Sequence, residues 1–211
     1  MNTDKKLLVE CITFEADPTM LRESTEHPNQ PFRVSGILQR KGKKNQNGRI
    51  YPDEILTREA EKYANTFIRD RRAMGELDHP ESSVVNLKNV SHNVVEMHWQ
   101  GDDLMGTVEV LTTPNGNILR ELFRNGIKLG ISSRGLGTLK KISENSAIVG
   151  DDFELIAFDF VSNPSTQGAF MALPGQGAGQ VSLSEGVVKN PLTNHWERTD
   201  DIIRNILSEL G

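Results

Sequence analysis

Between residues 84 and 111 the hydrophobic period of the chain is two. In "NVVEMHWQGDDLMGTVEVL" Val95, Met97 and Trp99 share one face, and "QGDD" supplies a tight turn. An isolated hairpin is marginal in water, so this one predicts further strands beside it and a second layer over its apolar face. Strand-like stretches do recur, at "FRVSGILQR", "IKLGISS", "LGTLKKIS" and "DFELIAFDFV". Between them lie two helical patterns. In "YPDEILTREAEKYANTFIRDR" Pro52, Asp53 and Glu54 suit a first turn, and Ile55/Leu56, Ala60, Tyr63/Ala64 and Phe67/Ile68 recur at helical spacing. In "NGNILRELFRNG" Ile118, Leu119, Leu122 and Phe123 are expected to be buried and Gly126 to stop the helix.

The expected fold is therefore α+β, a mostly antiparallel, barrel-like core with helices against it, over residues 31–172. Residues 1–30, polar around two prolines, are expected to form a loose N-terminal arm. Residues 173–211 read as a flexible linker, "PGQGAGQVSLSEG", followed by an amphipathic helix from Trp196 to Leu210.

Charge and composition narrow the function classes. A net charge of −5 over 211 residues argues against nucleic acid as a partner. The single cysteine, Cys11, excludes an intramolecular disulfide framework and fits a reducing compartment. No apolar run approaches the roughly 18–20 residues of a membrane span, and "MNTDKKLLVECITF" lacks the cleavage site of a secretory signal. A soluble intracellular protein is expected.

Three stretches carry groups suited to chemistry. "MGELDHPES" places His79 between Asp78 and Pro80 at a strand end, where an imidazole can exchange protons near neutral pH. A plain polar turn explains the same residues. "GISSRGLG" offers Ser132 and Ser133 between glycines, with Arg134 beside them. Serines at a strand end are also ordinary turn residues, and no G-x-S-x-G elbow is present. In "ELIAFDFVSNPS" Asp159 interrupts an apolar strand. An ionised carboxylate there is costly unless something pairs it, or unless the strand is an exposed edge. Together they supply a serine, a histidine and an aspartate. A metal reading of Glu76, Asp78, His79, His92 and His98 competes poorly, because His92 and His98 lie about 20 Å apart along a strand. No metal or cofactor is expected.

"NQNGRIYPDEIL", "MGELDHP" and "LGISSRGLGTL" resemble, in order and spacing, three motifs of the prohead core protein proteases of T-even-type tailed bacteriophages. The resemblance covers roughly residues 31–170. It implies a serine endopeptidase that cleaves scaffold and capsid proteins inside the immature phage head, within the host cytoplasm. It also implies a fold like that of herpesvirus assembly proteases, a β-barrel wrapped by helices, and is compatible with self-association.

Carried onto this chain, the resemblance makes Ser132 the nucleophile and His79 its base. Asp159 is the preferred third member, with Glu76 in reserve. Ser133, Arg134 and Gly135 are the expected oxyanion and substrate-binding groups. The family's cleavage after glutamate in an [L/I]-x-E context calls for a basic pocket, for which Arg134, Lys140 and Lys141 are candidates. The same context occurs here at Glu10, Glu23, Glu121, Glu144, Glu185 and Glu209. The small residues around Glu185–Gly186 make that bond the first choice for self-cleavage, followed by Glu10 and Glu23. A non-enzymatic scaffold or assembly protein of the same particle is the alternative.

Overall fold

The computed structural model describes residues 5–78 and 82–162. Three sheets organise them. The first has the order β1 (Lys6–Phe14), β7 (Leu129–Gly137), β10 (Glu154–Val161). The second has the order β2 (Phe32–Arg40), β6 (Asp103–Val110), β5 (Val90–Gln100), β4 (Met74–Glu76). The third joins β3 (Arg49–Ile50), β9 (Ser146–Val149) and β8 (Leu139–Ser143). The expected barrel does not close; a bridge from Leu77 to Phe160 and a 2.7 Å hydrogen bond from Asp78 N to Phe160 O link β4 to β10.

The hairpin expected from the two-residue period is β5–β6, paired from His92↔Val110 to Gln100↔Asp103. Gly101 takes its turn at φ 62°, where a residue without Cβ is at ease. The helix α2 (Asp53–Tyr63) buries Leu56, Ala60 and Tyr63, then continues as one π-helical turn, Ala64–Ile68. The helix α3 (Pro114–Arg124) starts at Thr113, whose Oγ1 accepts from Gly116 N at 3.0 Å, and Gly126 follows it at φ 68°. Leu119 and Phe123 are buried as expected, but Ile118 is 53% exposed, because the stripe facing the sheet is narrower than the apolar run. Phe14, Phe123 and Phe160 meet edge to face at the centre of the core.

Residues 1–30 are not a loose arm in the part described. Lys6–Phe14 pair with β7 over nine consecutive residues, from Lys6↔Gly137 to Phe14↔Leu129. Leu8, Cys11 and Phe14 enter the interior. Pro18–Glu26 form α1, capped by Asp17, whose carboxylate accepts from Met20 N at 2.9 Å. Ser24 ties this helix to β2 by donating to Arg33 O at 2.8 Å. The linker and terminal helix expected after residue 172 lie outside the described residues.

Candidate active site

β7 is the middle strand of its sheet, so its side chains meet partners from two neighbours. Cys11 of β1 and Asp159 of β10 both stand opposite Ser132. Residues directly opposite share a face, which gathers Cys11, Ser132 and Asp159 on one side of the sheet. Glu10 and Phe158 stand opposite Ser133 on the other side. All of these are buried.

The two serines have different surroundings. Ser133 Oγ accepts from Gln39 Nε2 at 2.6 Å in the interior. Ser132 Oγ makes no conventional hydrogen bond among the described residues. Its neighbour is the Cys11 thiol, which burial pushes up in pKa and the Ser132 hydroxyl pulls down. A sulfur is a weak hydrogen-bonding partner. Ser132 is thus the serine with a hydroxyl left to use.

Asp159 is paired, as its place in an apolar strand requires, and its partner among the described residues is Arg134. The guanidinium places Nη2 3.2 Å from Oδ1 and Nε 2.9 Å from Oδ2. The backbone N–H of Glu76 donates to Oδ1 at 3.0 Å. Arg134 also reaches Glu76 Oε1 at 3.2 Å and Ser82 O at 2.5 Å. None of the three charged side chains reaches solvent. Two carboxylates around one guanidinium leave the cluster formally negative. Burial therefore raises Asp159 to a pKa of about 6, against the opposing pull of Arg134 and the Glu76 N–H. Glu76 Oε1 also accepts from Asn86 N at 2.9 Å, whereas its Oε2 is buried with no hydrogen-bond partner among the described residues.

Arg134, expected near the oxyanion or in a basic substrate pocket, is buried and paired with both Glu76 and Asp159. Lys140 and Lys141 are exposed on β8, in the third sheet. Ser133, Arg134 and Gly135 lie inside a strand laddered on both edges, with one irregularity between Leu155 and Ala157 opposite Gly135 and Arg134. A Cβ on Gly135 would overlap the Phe153 ring, so packing alone accounts for this glycine.

His79, Glu185 and Gly186 lie outside the described residues. The chain approaches position 79 through Asp78, held at φ 75°, an uncommon backbone conformation for a residue with a side chain. His92 is no ligand. Its ring is buried, with Nδ1 2.8 Å from Ser91 Oγ and Nε2 2.9 Å from Phe158 O. The carbonyl needs a donor, so Nε2 carries the proton and Nδ1 accepts from the serine. Burial lowers its pKa to about 4. Gly75 makes this packing feasible, since a Cβ there would overlap both His92 and the Phe158 carbonyl. No group of three metal-ligating side chains occurs among the described residues.

One polar centre was not foreseen. Asn45, Asn47, Arg49 and Tyr51 of the "NQNGRIY" stretch all converge on Glu10 of β1. Asn45 Nδ2 and Asn47 Nδ2 each donate to Oε2 at 2.6 Å. Arg49 Nη1 donates to Oε1 at 2.7 Å and the Tyr51 hydroxyl to the same atom at 3.0 Å. Burial, with the Glu10 charge, pushes the Tyr51 phenol up. Nothing local in "KLLVECITF" identifies what receives its glutamate.

With this geometry in hand, known proteins offer a comparison. Residues 18–176 match the family model described as prohead core protein serine protease. The prohead core protein protease of Enterobacteria phage T4 is 33% identical over 141 residues, covering 65% of this chain and 66% of that protein. The solved structure of the bacteriophage T4 capsid assembly protease superposes with a TM-score of 0.67 at 27% identity, over 76% of this chain and 99% of that one.

Proposed function

The chain belongs to the prohead core protein serine protease family, and we propose that it is a serine endopeptidase acting through Ser132 on scaffold and capsid proteins of an immature phage head. The observation that carries this reading is the contrast between the two serines. Ser133 is committed to Gln39, while Ser132 faces Cys11 and Asp159 with its hydroxyl unengaged by a conventional hydrogen bond.

In the proposed reaction Ser132 Oγ bonds to the scissile carbonyl carbon as its proton passes to His79. Collapse of the tetrahedral intermediate breaks the C–N bond, and His79 returns that proton to the leaving amine. Water then releases the acyl group by the same steps in reverse. Asp159 is the proposed orienting carboxylate. Glu76 is the second reading, favoured by its unpartnered buried Oε2. The oxyanion donors are sought at the ladder irregularity beside Arg134 and Gly135.

Cleavage after glutamate in an [L/I]-x-E context, self-cleavage at Glu185–Gly186 and the herpesvirus-type relationship remain part of this reading, carried by the sequence motifs. The complete burial of Ser132 favours the alternative, a non-enzymatic assembly protein of the same particle. A fluorophosphonate probe separates the two. Labelling of Ser132, absent in Ser132→Ala, supports the protease; a protein that never labels, even after incubation with scaffold protein, supports the assembly role.

A further inference from the structure

We propose that Asn45, Asn47, Arg49 and Tyr51 form the pocket that reads the glutamate side chain on the acyl side of the scissile bond, and that the chain's own Glu10 fills it in this structure. The proposal rests on Ser132 being the nucleophile. The pocket saturates a carboxylate. One oxygen takes two amide donors and the other a guanidinium and a phenol, all between 2.6 and 3.0 Å. A glutamine in the same place would turn an N–H₂ group toward donors, leaving buried polar groups unpaired. Sites built this way reject the wrong isostere strongly.

The pocket's position matches the chemistry. Glu10 stands opposite Ser133 and Cys11 opposite Ser132, so the Glu10–Cys11 peptide bond passes beside the proposed nucleophile. Side chains alternate along a strand. Glu10 therefore enters the pocket on one face while Cys11 shares the face of Ser132. β1 is an edge strand of its sheet. An extended peptide taking the place of β1 along β7 in the same register would put its glutamate in the pocket and its next peptide bond at Ser132, the strand-addition mode of peptide recognition. Leu8, two residues earlier, is also fully received.

The pocket does not depend on Glu10 for its shape. Asn45 Oδ1 accepts from the backbone of Asn47 at 3.0 Å and of Arg49 at 2.9 Å. Asn45 N in turn donates to Arg49 O at 2.9 Å, and Gly48 turns the loop at φ 73°. Arg49 and Ile50 pair with β9. A cavity of about 730 Å³ opens beside the loop, lined in part by Asn47, Arg49 and Lys44.

The test uses the full chain and two peptides identical except for Glu or Gln at the cleaved position. The wild type is expected to favour the glutamate peptide in kcat/KM by at least about 100-fold. That ratio should fall below about tenfold in Arg49→Leu, and partway in Asn47→Ala and Tyr51→Phe, with cleavage still abolished by Ser132→Ala. Variants that cleave with an undiminished glutamate preference overturn the pocket and leave the protease reading intact. If Arg49→Leu does not fold, the ratio in Asn47→Ala and Tyr51→Phe decides. A wild type whose cleavage survives Ser132→Ala, or that cleaves neither peptide, overturns the protease reading and the pocket with it.

Discussion

Ser132 and Asp159 stand opposite one another on neighbouring strands, yet the described groups that hold Asp159 are Arg134 and the Glu76 N–H. The carboxylate is anchored before any imidazole is considered. That ordering shapes what substitutions here should do.

The serine pair gives the first test. Ser132→Ala and His79→Ala are each expected to lower peptide cleavage by on the order of 10⁴ or more. Ser132→Ala should unfold close to the wild-type temperature, because it removes a hydroxyl with no conventional partner. Ser133→Ala should keep activity but lose about 1–3 kcal/mol of stability, since the Gln39 amide loses its acceptor. Activity and thermal melts on the three proteins decide. An inactive Ser133→Ala with an active Ser132→Ala would reverse the assignment.

Asp159→Asn and Glu76→Gln separate the two carboxylates. If Asp159 orients the base, its amide variant should lower kcat by on the order of 10⁴. If Glu76 does so through its free Oε2, the larger loss falls on Glu76→Gln. Asp159→Asn leaves Glu76 as the carboxylate on the buried Arg134, so its effect on stability is measured beside its effect on kcat. Steady-state kinetics beside denaturant melts keeps the two effects apart.

Asp159 and His92 oppose each other in pH. Asp159 titrates near 6 when folded, above the 3.8 of a free aspartate. Its contribution is full below about pH 4 and is lost as pH rises through 6. His92 titrates near 4, below 6.5. Its contribution is full above about pH 6.5 and is lost as pH falls toward 4. Each shift corresponds to on the order of 3 kcal/mol, so wild-type stability should change little from these groups between pH 4 and 6. Asp159→Asn should make stability climb with pH across that window. Urea melts at four pH values measure the slope; an unchanged slope rejects the Asp159 shift.

Gly75→Ala should destabilise the protein by about 3 kcal/mol or more, since the Phe158 carbonyl and the His92 ring leave no room for a methyl group. A melt within a few degrees of wild type would show that β4 can shift away from β10.

For self-cleavage, intact-mass measurement of incubated wild-type protein should show a fragment ending at Glu185, absent in Ser132→Ala. Glu23 lies in α1 and Glu121 in α3, so neither should be cut while its helix is folded. A wild type that digests peptides yet stays full length rejects self-cleavage.

The sequence shows the β5–β6 hairpin, α2, α3 and the strands around Ser132 and Asp159 because each carries its own period or cap. It also shows that Asp159 needs a partner. It does not show which one, since Arg134 reads locally as a free charge until the fold brings Glu76 and Asp159 around it. β1 was hidden for a related reason. A glutamate inside "LLVECITF" weakens the core signal, and its four donors lie some 35 to 41 residues further along the chain. Local patterns report local structure; the polar centres here are built from distant segments.

The pairing of Cys11 with Ser132 also bears on when the site exists. More than a hundred residues separate the two, and β10 follows later still. Contacts so distant in sequence form late and slowly. During synthesis β1 must wait for β7, and Ser132 has no Asp159 opposite it until β10 has left the ribosome. A nascent chain therefore lacks the assembled site while its own unfolded segments are most open to cutting.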